Sequence, residues 1–368
     1  MKNILMMTVA VGALAFAAAP AMAQDGGVDL SIAGHMKGYV TWNDQDEAAG
    51  QPDARSVDIL RETEIHFTGE TTLDNGLTVG FHTELEDDLG DGFATEESYA
   101  YFAGNWGRVN FGAEDGAGYL LQVAAPSADS NVDGIRQYIS AFNTTVAGVA
   151  AGATGALDYD MAPTAAADKI TYISPNFNGF QAGVSYTPDV EDVAGTALGS
   201  RSLGVSTDDV NDALGQAYEA AVRYEGNFDA FRLAVGAGYA QVEVEQETAA
   251  SDDVQTWNVG ANVGFGAFNV GAVYFDGENT AGTKDADTDG FVVGVDYTTG
   301  PFVIGASYYN ADDIDGVANV DAERYSGGVT YNYGPGMSFR GSVHHVQYDQ
   351  VGGDVDGTSL LLGTQINF

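Results

Sequence analysis

Three histidines and two glutamates form the densest reactive set in this chain of 368 residues. His35, His66 and His82 fall on three successive stretches of alternating polarity, and each sits on the polar parity of its stretch. Glu64 and Glu84 share that parity. If two of these stretches pair so that residue numbers sum to 148, His66 faces His82 and Glu64 faces Glu84. The neighbouring register sets His66 opposite Glu84 instead. Either way, imidazoles and carboxylates meet in one patch. Such a patch titrates near ~6.5 or holds a metal; it also serves as ordinary polar lining of a wet interior, and the polar lining is the expectation. His344 and His345 are adjacent and point to opposite faces, a poor basis for a site. Covalent catalysis finds no support: the chain has no Cys, no G-x-S-x-G elbow, no H-E-x-x-H and no P-loop.

The elements that carry these residues are strands. From Val28 to Trp42, the residues Val28, Leu30, Ile32, Met36, Val40 and Trp42 share one parity, with Asp29, Ser31, His35, Lys37 and Thr41 on the other. Fifteen alternating residues exceed a usual soluble strand and suit a tilted strand crossing a bilayer. The pattern recurs in sixteen segments, near 28-42, 58-71, 77-87, 95-104, 107-114, 168-174, 179-187, 216-226, 230-245, 253-265, 267-276, 289-298, 301-310, 322-333, 337-348 and 357-368. An even count agrees with bacterial outer-membrane barrels. The connections alternate between short ones, such as Leu73-Asp74-Asn75-Gly76 and Asn105-Trp106, and long ones, such as 43-57, 115-167 and 188-215. Aromatic residues including Trp42, Tyr99, Trp106, Trp257, Phe265, Phe268, Tyr297, Phe302, Tyr331 and Tyr333 fall near strand ends, where interfacial girdles form.

Composition agrees. Fifty-three acidic against 13 basic residues give a formal charge of −40, which repels nucleic-acid phosphates. A hydrophobic content of 45% is too high for a disordered acidic chain, and 49 glycines favour β structure. Lys2, the apolar run Ile4 to Ala19 and the small-x-small Ala21-Met22-Ala23 read as an export signal, residues 1-23, removed to leave a single domain over 24-368. No later run of eighteen apolar residues supplies a membrane helix, so an exported chain of this kind is soluble or a barrel. The alternation selects the barrel, an all-β transmembrane antiparallel fold.

Three stretches carry a family resemblance: Thr63-Glu64-Ile65-His66-Phe67-Thr68-Gly69 with Leu73-Asp74-Asn75-Gly76, Trp106-Gly107-Arg108-Val109-Asn110-Phe111-Gly112, and Ile170-Thr171-Tyr172-Ile173-Ser174-Pro175-Asn176-Phe177-Asn178-Gly179-Phe180. The last resembles an "RY-x-SPNF-x-GF" signature. The chain thereby resembles the general diffusion porins of Gram-negative outer membranes, of the alpha- and beta-proteobacterial type. The resemblance implies a sixteen-stranded barrel, usually a homotrimer, that passes small hydrophilic solutes without a cofactor. It implies that a long third loop, here 115-167, folds inward and narrows the pore. It also implies that the terminal Phe368 is read by the barrel-assembly machinery.

In such a barrel the chemistry is electrostatic filtering by inward residues and the inserted loop. Family members often oppose wall arginines to loop carboxylates. Here three of those arginine positions align with Glu64, Ala113 and Thr171. The remaining inward basic residues are Lys37, Arg108, Lys169, Arg223, Arg324 and Arg340, of which Lys37 and Arg340 lie nearest mid-strand. Asp129, Asp133, Asp158 and Asp160 are the loop carboxylates, with Arg136 as an internal partner. With Glu64, His66, His82 and Glu84 these complete the expected pore lining, and a preference for cations follows. Acidic clusters in the outer loops, Asp285, Asp287 and Asp289 among them, are candidate Ca²⁺ or Mg²⁺ ligands that would bridge to lipopolysaccharide, or are solvated charge. Two other readings stay open: a substrate-specific porin of 16 or 18 strands, and a soluble acidic secreted adhesin.

Overall fold

A computed structural model describes residues 27–88, 92–127, 135, 139–153, 157–191 and 205–368. Sixteen antiparallel strands close into one barrel, each pairing with its sequence neighbours and the first with the last. They are β1 Asp29–Gln45, β2 Val57–Thr72, β3 Thr78–Asp88, β4 Ala94–Gly104, β5 Gly107–Ala113, β6 Asp168–Ile173, β7 Phe180–Thr187 and β8 Leu214–Asn227. Then follow β9 Arg232–Val244, β10 Val254–Phe265, β11 Phe268–Glu278, β12 Thr288–Thr299, β13 Phe302–Asp312, β14 Val320–Gly334, β15 Met337–Gln350 and β16 Val355–Asn367. Every alternating segment of the sequence becomes one of these strands. Closure leaves no unpaired edge, the condition for sheet in lipid. At the seam Gly34 and Phe368 exchange both backbone hydrogen bonds at 3.0 Å.

The period-two pattern fixes which face is which. Along β1 the side chains of Lys37, Tyr39 and Thr41 are buried while Met36, Val40 and Trp42 are exposed. Ile59, Phe81, Phe111, Ile170, Val222 and Leu362 likewise face outward. An apolar belt on the outside with polar residues inside is the inverse of a soluble core and suits lipid.

Turn chemistry sets the register. Asn75 Oδ1 accepts from Leu77 N at 3.0 Å, and Gly76 takes φ +82, a left-handed value that glycine adopts without strain. In the Ser174–Phe180 turn, Asn176 Oδ1 accepts from Gly179 N at 2.9 Å, and a Cβ on Gly179 would meet Glu225 O at 2.3 Å. Beside these short turns the aromatics form a band: Trp106 stacks on Tyr172, Phe268 lies between Phe265 and Tyr297, and Phe302 meets Tyr331. Tyr99 departs from this pattern, turning inward to stack on His82 at 5.3 Å.

The segment after β5 packs on inward residues of the opposite wall. Its short helices are α1 Ala117–Leu120 and α2 Thr144–Ala147. Glu219 on β8 holds the start, accepting from Gly118 N at 2.9 Å and from Thr164 Oγ1 at 2.7 Å. Asn262 on β10 donates to Ala124 O at 2.9 Å, and Arg223 on β8 donates to Gln122 O at 3.0 Å. Further along, Gln350 on β15 donates to Gly148 O at 3.1 Å and accepts from Ala150 N at 2.9 Å. Apolar packing of Ile135, Phe142, Val149, Leu157 and Tyr159 against Val273, Val292, Tyr309 and Tyr348 makes the largest buried cluster of the described residues.

Candidate functional site

The inner wall of β1–β3 gathers the reactive residues. Pairing of β1 with β2 sets Lys37 opposite Glu62 and His35 opposite Glu64. Pairing of β2 with β3 sets Glu64 opposite Glu86, His66 opposite Glu84 and Thr68 opposite His82. The second of the two registers considered for His66 is therefore the one adopted. Side chains two residues apart along a strand and opposite across strands come within contact distance, so these positions merge into one cluster.

Its geometry is close. His35 Nε2 lies 2.8 Å from Glu62 Oε2 and its Nδ1 lies 3.3 Å from Glu64 Oε2. His66 Nε2 is 3.4 Å from the same Glu64 oxygen, and His66 Nδ1 is 2.9 Å from Glu84 Oε2. His82 Nε2 lies 3.4 Å from His66 Nδ1 and 3.7 Å from Glu84 Oε2. Lys37, buried like Glu62, brings its ammonium to 3.4 Å from Glu62 Oε2. The histidines bridge carboxylates that would otherwise repel one another, since like charges in a partly desolvated wall interact strongly.

A second acidic group follows at the end of β5. Glu114 and Asp115 are buried, with Glu97 of β4 beside them; Asp115 N donates to Glu97 Oε1 at 3.4 Å. Asn110 donates to Glu114, and Lys169 donates to the backbone oxygens of Glu114 and Ala165. Burial pushes the Glu114 carboxyl up to about 7, against the opposing pull of the Arg108 guanidinium and the Asn110 amide. Arg108 lies over the Tyr101 ring, its guanidinium carbon 4.0 Å from the ring centre.

Of the residues expected to line the pore, Lys37, Glu64, His66, His82 and Glu84 come together. Arg340 faces inward on β15, donating from Nε to Ser338 Oγ at 3.0 Å. Asp158 and Asp160 flank the buried Tyr159, and the Asp158 carbonyl accepts from Tyr309 OH at 3.5 Å. Asp129, Asp133 and Arg136 lie outside the described residues, as does the 1-23 segment. Glu64, Ala113 and Thr171, which stand where the resemblance places arginines, are all buried in the interior; Thr171 Oγ1 is 2.8 Å from Ser185 Oγ.

Sequence reasoning did not single out Glu62 and Glu86, although both share the inward parity of Glu64 and Glu84. It also passed over Glu97, Glu114 and Glu219; alternation puts Glu97 and Glu219 on the inward parity of β4 and β8, but what surrounds all three depends on the return of the 115-167 segment. In the outer loops no three carboxylates among the described residues come close enough to hold one ion; the three groups of ligand type that do are all on β1–β3.

The profile of the Gram-negative porins matches residues 10–351. Solved porins share the fold. A porin refined at 1.8 Å is 19% identical with a TM-score of 0.61, covering 92% of this chain and 100% of that one. An anion-selective porin from Comamonas acidovorans is 18% identical with a TM-score of 0.61, covering 93% and 100%. A triple mutant of Rhodopseudomonas blastica porin is 20% identical with a TM-score of 0.56, covering 92% and 100%. A search of curated protein sequences returned no match. With the closed sixteen-stranded barrel, its apolar belt and its polar interior, the chain belongs to the Gram-negative porins, the channel proteins of the outer membrane.

Proposed function

We propose that this porin is a general diffusion channel for small hydrophilic solutes with a preference for cations. The observation that carries the reading is the carboxylate-rich inner wall, where Glu62, Glu64, Glu84 and Glu86 gather with Lys37 and three histidines. A fixed negative wall lowers the energy of a passing cation and raises that of an anion. The Comamonas acidovorans relative is described as anion-selective. Here the wall positions assigned to arginine by family resemblance hold Glu64, Ala113 and Thr171, which supports the opposite sign. The seating of the 115-167 segment on inward side chains supports its role as the constriction that limits solute size.

The barrel does no covalent chemistry and needs no cofactor in this reading. Export is directed by residues 1-23, which are cleaved, and assembly by the terminal Phe368. Trimerisation in the lipopolysaccharide-bearing membrane follows the family pattern.

Refolded protein in planar bilayers under a KCl gradient tests this. The expected result is stepwise conductance with a reversal potential on the cation side. A potential on the anion side would overturn the selectivity and assign the filter to Lys37, Arg340 or Arg108. Absence of conductance would overturn the channel reading.

A further inference from the structure

We propose that His66, His82 and Glu84 form a binding site for one divalent transition-metal ion in the barrel wall, with zinc the natural probe. Three ligand-type atoms converge: His66 Nδ1, His82 Nε2 and Glu84 Oε2, separated by 2.9, 3.4 and 3.7 Å. Zinc bonds of about 2.0–2.1 Å at tetrahedral angles separate ligand atoms by about 3.3 Å. The three atoms therefore need only a few tenths of an ångström of adjustment to accept the ion. The fourth position is left to water or a solute.

The outer ring nitrogens decide which atoms are available. His82 Nδ1 lies 2.9 Å from Thr68 Oγ1, and His66 Nε2 lies 3.4 Å from Glu64 Oε2. With an ion bound, these partners hold the proton on each outer nitrogen, and the ion displaces the proton that His66 Nδ1 shares with Glu84 at 2.9 Å in its absence. A histidine whose far N–H is held by a carboxylate or hydroxyl is the arrangement that orients metal-binding imidazoles and strengthens them as ligands. The Tyr99 ring stacked on His82 fixes that imidazole further. The side chains of His66, His82 and Glu84 are 7, 4 and 12% exposed, so the site is shielded with Glu84 toward its opening.

Charge favours an ion as well. Glu62, Glu64, Glu84 and Glu86 crowd one wall with a single lysine among them, and a dication offsets part of their mutual repulsion. Two nitrogens with one carboxylate select zinc or its transition-metal neighbours over Ca²⁺ and Mg²⁺, which favour all-oxygen sites. A bound ion would also lower the cation preference. That second effect rests on the channel reading, whereas binding does not.

The test is calorimetric titration of zinc into the refolded full chain, with millimolar Ca²⁺ present to occupy the acidic loops. One equivalent should bind. His82→Gln should weaken it at least about tenfold, and Thr68→Val, which removes only the orienting hydroxyl, about 10- to 100-fold. His35→Gln, in the neighbouring His35–Glu64–His66 group, should weaken it less than His82→Gln does. Failure to bind one equivalent, equal affinity in His82→Gln, or the reverse order of the two histidine variants overturns the site. Absorption of Co²⁺ bound to the unmodified chain needs no variant: a four-coordinate spectrum supports the site, and a six-coordinate one overturns it.

Discussion

Carboxylates crowd two regions of this molecule, the inner wall of β1–β3 and the outer loops, and the two use them in opposite ways. In the wall, Glu62, Glu64 and Glu84 are shielded from water and each contacts an imidazole or ammonium at 2.8–3.7 Å. In the loops, aspartates shape backbone. Asp287 Oδ1 accepts from Asn279 N at 3.1 Å, and Asp313 Oδ1 accepts from Asn319 N. Asp285, Asp313 and Asp315 take φ of 59, 47 and 54, left-handed values that aspartate tolerates better than most residues. Solvated loop charge is screened beyond about 8 Å at physiological salt, while wall charge acts at contact range on whatever passes. The net charge of −40 therefore says little about selectivity until each carboxylate is placed.

The largest expected effect comes from exchanging charge between these regions. Neutralising the wall with Glu62→Gln, Glu64→Gln and Glu84→Gln together should take most of the cation preference out of the KCl reversal potential. Neutralising the loops with Asp285→Asn, Asp287→Asn and Asp354→Asn removes the same formal charge. It should move the potential by a small fraction of that amount, and by less still in 1 M salt, where screening extends over only about 3 Å. Equal shifts from the two triple variants would mean that selectivity is set at the mouth.

A smaller effect tests the opposite wall, where the loop sits on glycines. A Cβ on Gly294 would meet Pro126 O at 2.0 Å, and one on Gly260 would meet Val123 O at 2.3 Å. Gly260→Val with Gly294→Val should lift the segment from its seat, at a cost of ~1–3 kcal/mol in overpacking. The expected readout is a raised single-channel conductance with an unchanged strand signal in circular dichroism. Unchanged conductance would mean that the 115-167 segment is not the limiting constriction.

How far the sequence alone leads also differs between the two walls. The strand set was legible from alternation because lipid outside and polar groups inside impose period two on every strand, from β1 at Asp29 to β16 at Asn367. The histidine patch was legible for the same reason: parity placed His35, His66 and His82 on one face, leaving only a choice between two registers. Parity places Glu219 inward as well, but what covers Glu114 and Glu219 was not legible. Their burial depends on a chain that leaves β5, crosses the interior and returns to β6, and no periodicity encodes where such a segment lands. Tyr99 was misplaced to the girdle because position near a strand end does not reveal facing, and its inward parity outweighs its height.

Glu114, set among Asn110, Arg108 and Lys169 on β5 and β6, makes the charge of the interior pH-dependent. Its carboxyl, pushed up to about 7 by burial, is protonated below that value and charged above it. Because the folded value is raised above an ordinary glutamate, proton binding favours the folded barrel as pH falls through 7, and the unprotonated form opposes it above 7. Arg108, Lys169, Asp115 and Glu97 are charged groups beside it. Cation preference should thus decline modestly as pH falls from 8 to 6, and Glu114→Gln should flatten that decline. A slope unchanged in Glu114→Gln would assign the titration to the β1–β3 cluster.

The smallest expected effect concerns an ion pair. Lys284 Nζ and Asp252 Oδ2 lie 3.0 Å apart in the outer loops, closer than the 3.4 Å of Lys37 and Glu62 in the wall. Their mutual hydrogen bond raises the lysine and lowers the aspartate. Ranked by distance, the loop pair would be the stronger. Ranked by surroundings it is the weaker, because its side chains are 47 and 38% exposed against 1% for each wall partner. Water and salt screen an exposed pair, and holding two long side chains together costs entropy that offsets most of the attraction. Lys284→Met should therefore leave the denaturant midpoint of the refolded barrel where it was. A clear loss of stability would show that the outer loops hold charge as tightly as the wall does, and the division between shielded and solvated carboxylates would have to be redrawn.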